Sequence, residues 1–466
     1  MRLTHLLLAI PLLTHSLDDY LMRNTAYGFS GAVLVVRGNE IVLRKGYGLA
    51  DRRAGIVATP RTPFNIASLD KQFIAAGILR LEELGKLKTT DPISRFFDFL
   101  PDDKKGITLH QLLSHTSGLE NDYWDDHPEL TRAAFVRQIL ADHPLAGTPG
   151  GGWRYSNSAF VVLERVIEIA AGEPYEDFMQ RMLFAPAAMT ETTFTPAANA
   201  AHYDFWKLDD HLPKGRAIWS TIDDLYRWRQ ALRNGKILTA ASRTKMITAV
   251  KNDYAYGWNV VTTARGTRLV HHGGSESKGG MMATYRDFID EDTLIVALSN
   301  SMQPLLSADY FAGDLEALVF GGEVHLPPPS TPAPATPRVT VVTDPEKMLA
   351  IAFPHKPAEN KIANDAARAA AQRFIADLGP ITGVETIGGR AFVLDGAAEL
   401  QTYVRVTFEH GPRLIRVLQP ASGDIETRPT PLPPAIELVL APAGDGRCTT
   451  WMFQLATSAT IPCGGR

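Results

Sequence analysis

Six prolines fall within the eleven residues Pro327-Pro328-Pro329-Ser330-Thr331-Pro332-Ala333-Pro334-Ala335-Thr336-Pro337. Proline has no backbone N–H and a fixed φ, so such a run joins neither a helix nor a central strand and favours an extended polyproline II path. It predicts a semi-rigid spacer over 323–344. That spacer divides the 466-residue chain into a large domain, 17–322, and a small one, 345–466. The length suits two or more domains.

Within the large domain the pattern is strand, then helix, then strand. A helical pattern over Leu17–Arg23 precedes two β-like runs, Gly31–Val36 and Ile41–Arg44, with Gly38-Asn39 as the turn between them. Helical runs fill the middle, among them Ile66–Leu84, Phe160–Ala171 and Ile222–Arg233. Strand signals return at Tyr256–Val261, Thr267–Val270, Met281–Tyr285 and Thr293–Leu298, and Leu305–Leu318 reads as a closing helix. Strands at both ends imply one sheet built from the two ends of the domain, with a helical region inserted. The small domain reads as a helix, Asn360–Leu378, on an antiparallel sheet formed by Tyr403–Phe408, Leu414–Leu418, Ile436–Leu440 and Trp451–Leu455. Both domains are thus α+β.

At the N-terminus, Arg2 precedes the apolar stretch Leu6–Leu13 and the small-x-small ending Thr14-His15-Ser16. This layout predicts a secretory signal peptide over 1–16 and a periplasmic or secreted protein, the other reading being a buried N-terminal helix. No apolar run is long enough for a membrane span. A formal net charge of -4 gives no basic excess for nucleic acid. The two cysteines, Cys448 and Cys463, could close a short loop worth about 3 kcal/mol or remain reduced thiols. Asp125-Asp126-His127 and Asp209-Asp210-His211 read as solvated loops, since adjacent residues rarely converge on one ion. No metal or cofactor is expected.

The chemistry centres on Ser68-Leu69-Asp70-Lys71. A serine hydroxyl needs a base before it can act as a nucleophile. A lysine three residues on shares its helix face and can reach it. Alone, the pair also describes a capping serine beside a surface lysine. Phe64-Asn65-Ile66-Ala67 before it and Gln72-Phe73-Ile74-Ala75-Ala76 after it turn Lys71 toward a packed interior, where burial should lower its pKa toward that of a useful base. Tyr155-Ser156-Asn157 follows a glycine loop and opens a helix. A cation beside Tyr155 would favour its phenolate, which could take the serine proton and return one to a leaving group. Asn157 could orient Lys71 and a substrate carbonyl. His272-Gly273-Gly274-Ser275 is placed where strand Thr267–Val270 ends. Its glycines would let a substrate backbone approach, and the Ser275 N–H would pair with that of Ser68 to hold an oxyanion. An incidental β-turn is the other reading of that box.

These three boxes resemble those of the serine β-lactamase and penicillin-binding-protein superfamily, in its class C-like branch. Gly46–Asp51, Ile107–Leu119 and Tyr256-Gly257-Trp258 add to the resemblance, which covers 28–302. It implies a β-lactamase/transpeptidase-like domain that forms an acyl-enzyme on Ser68, with Lys71 and Tyr155 as the base system and Asn157, His272, Gly273, Gly274 and Ser275 around the substrate. It also makes His115 a structural residue. His272 stands where β-lactamases of this branch usually carry lysine. A histidine is mostly neutral at pH 7, so an anionic β-lactam should bind less well. Asp70, two residues past Ser68 inside the first box, is unexpected and is read as pointing away from the nucleophile, with no assigned place.

The expected function is therefore an exported serine hydrolase cleaving an ester or amide of a small molecule or short peptide, of esterase or D-peptidase type. A β-lactamase or D-Ala-D-Ala carboxypeptidase is one alternative. A non-hydrolytic penicillin-binding-like sensor on the same fold is another. The small domain is expected, from its position alone, to mediate protein contacts or regulation.

Overall fold

The computed structural model describes residues 2–26, 29–51, 54–121, 130–202, 217–276, 281–300, 308–322, 324, 338–342, 379–394, 397–409, 411–420, 435–442 and 451–455. It divides into two compact units, one of residues 1–15 and 30–321, the other of 16–29 and 322–466. The N-terminal helix α1 (Arg2–Ala26) is continuous through residue 16 and past Pro11. It extends beyond the Leu17–Arg23 pattern at both ends, and its apolar positions Leu17, Tyr20 and Leu21 are fully buried. No described helix is long and apolar enough to cross a membrane.

The large unit is built on a six-stranded antiparallel sheet. Its N-terminal hairpin is β1 (Gly31–Arg37) and β2 (Glu40–Tyr47), turned at Gly38 with φ 61°. Two short pairs follow: β3 (Leu49–Asp51) with β4 (Ile56–Val57), and β5 (Phe64–Asn65) with β6 (Trp219–Ser220). The C-terminal strands are β7 (Asn259–Thr262), β8 (Arg268–Glu276), β9 (Met281–Phe288) and β10 (Thr293–Ser299). The spatial order is β2-β1-β10-β9-β8-β7. β1 pairs with β10 from Gly31↔Ser299 to Arg37↔Thr293, so the two chain ends do meet in one sheet. Both strands read as unbroken apolar runs because they are central and buried on both faces.

The inserted helical region surrounds α2 (Lys71–Glu83), which buries nearly every side chain from Lys71 to Leu81. Around it stand α3 (Leu109–Leu113), α4 (Arg132–Ala141), α5 (Asn157–Ala171), α6 (Tyr175–Met179), α7 (Ile222–Arg233) and α8 (Ala240–Met246). Phe73 anchors α2 edge-on against Trp228, with centroids 4.7 Å apart, and against Phe184 at 5.2 Å. Full burial of such a ring is worth about 2–3 kcal/mol. Gly77 brings α2 close to α5, since a methyl there would meet Ile167 Cδ1 at 3.0 Å. α5 starts at Ser156, whose hydroxyl accepts the Ala159 N–H at 3.1 Å, and stops at Gly172 in the left-handed conformation. α9 (Ala308–Val319) packs on β9 and β10.

Three of the differences from the sequence pattern bear on the Ser68 region. The helix over Ile66–Leu84 is a 3₁₀ turn, Ala67–Asp70, running into α2. Strand β7 starts only at Asn259, because Gly257 turns the chain with φ 74°. Strand β8 does not end at Val270 but continues to Glu276, so the His272 box is strand and not turn. The cause is pairing: His272, Gly273, Gly274 and Ser275 lie in register with Tyr285, Thr284, Ala283 and Met282 of β9.

The second unit carries two three-stranded sheets. One is β11 (Arg338–Val342), β15 (Ala435–Pro442) and β16 (Trp451–Leu455), with β11 parallel to β15. The other is the meander β12 (Ile381–Leu394), β13 (Ala397–Phe408) and β14 (Gly411–Pro420). Strand β11 lies inside the span read as spacer, where Arg338-Val339-Thr340-Val341-Val342 is a β-forming run just past the last proline. The expected helix Asn360–Leu378, both cysteines, and the Asp125–His127 and Asp209–His211 clusters lie outside the described residues.

Candidate active site

The Ser68 turn is held from several sides. Ala67 adopts φ 45°, a left-handed conformation that disfavours any residue with a Cβ. It is fixed by the Asn65 side chain, whose Oδ1 accepts the Ala67 N–H at 2.9 Å. The Ile66 N–H donates to the Ile218 carbonyl at 3.0 Å, and the Leu69 N–H to the Ile66 carbonyl at 3.1 Å. Two glycines then let backbone meet backbone. A methyl on Gly274 would lie 2.2 Å from the Ile66 carbonyl oxygen and 3.3 Å from the Ser68 nitrogen. One on Gly257 would lie 2.5 Å from the Lys71 carbonyl oxygen. The sequence suggested that the Gly273-Gly274 pair serves the approach of a substrate. For Gly274, the tightest approach is by the protein's own turn.

Four of the singled-out side chains converge. The Lys71 ammonium donates to Ser68 Oγ at 3.0 Å and to Asn157 Oδ1 at 2.8 Å. The Tyr155 hydroxyl donates to Ser68 Oγ at 2.8 Å. Lys71 Nζ also lies over the rings of Tyr155, 5.1 Å from the centroid, and Phe160, at 5.4 Å. Ser68 is half-buried, whereas Lys71 is almost wholly buried.

The charge on Lys71 differs from the sequence-based expectation. Burial alone would lower its pKa, but the Tyr155 oxygen, the Asp70 and Glu164 carboxylates and the Tyr155 hydrogen bond outweigh that, and the net direction is upward. Lys71 is held as an ammonium ion and is not a poised free base.

His272 lies beside this group and does not reach Ser68. Its Nδ1–H donates to the Gly273 carbonyl at 2.5 Å, and Nε2 accepts the Tyr254 hydroxyl at 3.1 Å. Both nitrogens are used by the neutral imidazole. Burial, then the Lys71 charge, pushes the pKa down to about 3. Ser275 follows Gly274 and is exposed at the end of β8.

Residues not singled out as functional complete the site. Tyr254, fully buried, orients His272. His115 holds the Tyr155 turn: its Nδ1 accepts the Ser156 N–H at 3.1 Å, and its carbonyl accepts the Arg154 N–H at 2.8 Å. Its ring packs among Tyr155, Tyr254 and Phe160, with centroids 4.4, 4.5 and 5.1 Å away. Burial, with Lys71 nearby, keeps it neutral. Tyr254 stands two residues before Tyr256-Gly257-Trp258, and nothing in that spacing signals its partner.

Near Lys71 lies a half-buried ionic cluster that reaches it through Glu164. Arg132 donates to Glu164 at 2.8 Å, and also to Glu168 and Glu176. One guanidinium serves three carboxylates, so burial prevails at Glu164 and raises its pKa to about 7. Among the described residues, no cluster of three His, Cys, Asp or Glu side chains could hold a metal.

Residues 18–317 match the family model described as Beta-lactamase. The Bacillus subtilis (strain 168) protein named as penicillin-binding protein PbpX is 33% identical over 296 residues, covering 59% of this chain and 71% of its own. Esterase EstB of Burkholderia gladioli is 35% identical over 189 residues, covering 36% of this chain and 47% of its own. Among solved structures, D-amino acid amidase from Ochrobactrum anthropi SV3 complexed with D-phenylalanine superposes with a TM-score of 0.55. It shares 20% identity over 66% of this chain and 98% of that one, a likeness of fold.

Proposed function

The chain belongs to the β-lactamase family of serine β-lactamases and penicillin-binding proteins, and on that premise we propose that it is a serine hydrolase forming an acyl-enzyme on Ser68. One observation carries this: Ser68 Oγ is contacted at once by the Lys71 ammonium and the Tyr155 hydroxyl. In the proposed reaction Ser68 Oγ attacks an ester or amide carbonyl. Tyr155 turns its hydrogen from Ser68 Oγ toward the leaving alcohol or amine, and its oxygen takes the Ser68 proton as it gives up its own. The Lys71 charge stabilises the negative charge that develops between the two oxygens. The N–H groups of Ser68 and Ser275 receive the carbonyl oxygen. Water then attacks the acyl carbonyl and passes a proton to the Tyr155 oxygen while Tyr155 returns its own to Ser68 Oγ, so the acid leaves and the serine is restored.

The preferred substrate is one with no carboxylate facing β8. His272 is buried, neutral and committed to Gly273 and Tyr254, so it offers no cation there. This favours an ester, or an amide of D-peptide type, over a β-lactam or a peptide with a free C-terminal carboxylate. The local likeness to an esterase supports the same preference.

The test compares the parent with Ser68→Ala on short p-nitrophenyl esters, D-alanyl amides and nitrocefin. The reading expects ester or D-amide turnover that is lost in Ser68→Ala. Equal turnover by both proteins refutes it. Stoichiometric labelling of Ser68 without turnover would favour a sensor, and faster nitrocefin turnover would reverse the substrate preference. Export through residues 1–16 belongs to the same proposal and is checked by N-terminal sequencing of the mature protein.

A further inference from the structure

We propose that Asp70, inside the Ser68–Lys71 box, is the buried counter-ion that keeps Lys71 an ammonium ion through the reaction, so that the Ser68 proton leaves only through Tyr155. The inference rests on the serine-hydrolase reading and adds a positioning residue to it. Asp70 Oδ1 lies 3.9 Å from Lys71 Nζ, the one carboxylate oxygen within 4 Å of that nitrogen among the described residues. The same oxygen is buried and has no hydrogen-bond partner. A carboxylate oxygen shut away without a donor is costly unless a charge faces it. Lys71 faces it, and its hydrogen bonds to Ser68 Oγ and Asn157 Oδ1 go to neutral groups. Besides Asp70 and the Tyr155 oxygen, the carboxylate acting on the ammonium is Glu164, which Arg132 already engages.

The groups facing Lys71 from the other elements fit this assignment. From the loop before α5 comes Tyr155, from α5 itself Asn157 and Glu164, from the loop after α3 His115, and from β8 His272. Burial and the Lys71 charge hold both histidines neutral, so neither opposes the ammonium. Burial pushes Asp70 up and Lys71 pulls it part of the way back, as paired charges do. A protonated lysine has no lone pair and cannot accept the Ser68 proton. Tyr155 is the other group touching Ser68 Oγ, and its oxygen can accept the proton once its own hydrogen turns from Ser68 to the leaving group.

The test uses the full chain with Asp70→Asn, which removes the charge and keeps the shape, and Asp70→Glu, which keeps the charge. kcat/KM for a neutral p-nitrophenyl ester is followed against pH, with fluorophosphonate labelling of Ser68 in parallel. Coulomb attraction at the observed separation corresponds to between about one and three pH units, from water-like surroundings to an effective dielectric of about 20. The alkaline limb of Asp70→Asn should move down by that amount, and Asp70→Glu should restore it. An unmoved limb in a folded Asp70→Asn protein overturns the assignment. Should that variant not fold, ε-13C-lysine NMR of the parent decides: Lys71 must keep its ammonium shift to about pH 9, and titration below that overturns it. Failure of the parent to label or turn over refutes the hydrolase reading instead, so the two failures are distinguishable.

Discussion

Gly274→Ala probes the contact on which the site geometry depends. The added methyl would sit 2.2 Å from the Ile66 carbonyl oxygen, where ordinary contact starts at 3.4 Å. Strand β8 and the Ser68 turn would have to separate by about 1 Å, a displacement that costs on the order of 100-fold when reacting groups are misaligned. Neither side yields easily. β8 is in register with β9 at this point, and the turn is pinned by Asn65 and Ile218. We therefore expect kcat/KM for ester hydrolysis to fall by about 100-fold and stability by about 1–3 kcal/mol, the usual range for overpacking. Gly106→Ala is the control, since a methyl there meets nothing within 4 Å. Steady-state kinetics and urea unfolding of both variants read the result. If Gly274→Ala hydrolyses ester at the parental rate, the claim that the glycine is needed for backbone approach is wrong.

Two further outcomes are expected. Ala67→Gly relieves a left-handed alanine, a conformation costing about 1–2 kcal/mol, and part of that gain is offset by the greater freedom of glycine in the unfolded chain. Denaturant melts should show a net gain of up to about 1 kcal/mol, and a loss would contradict the strained geometry. Glu164 has a folded pKa of about 7, above its ordinary 4.5, so the folded state binds its proton more tightly. Its contribution is full below pH 4.5 and is lost as pH rises through 7, at most about 3 kcal/mol. Glu164→Gln should flatten that part of the stability–pH curve, and an unchanged slope would exclude Glu164 as its source.

Much of the fold is legible in local pattern. β1 and β10 are apolar runs bounded by turn residues, and α7 begins and ends where its periodicity does, because short-range burial and capping set those limits. The run past Val270 is less legible. Its two glycines look like a break, and only pairing to β9 makes it strand. Likewise β11 is hidden by the prolines before it, and its place depends on β15, almost a hundred residues away.

The sequence by itself picked out Ser68 with Lys71, the Tyr155 box and the departure at His272, because fixed spacing on a helix and a run of ordered motifs carry that information. The charge on Lys71, the burial of His272 that holds it neutral, and the contacts of Asp70 and Tyr254 were decided only by tertiary structure. Those properties depend on distance through space and on exclusion of water. Asp70 is one residue from Lys71 along the chain, yet its meaning comes from an oxygen sealed from solvent 3.9 Å from an ammonium.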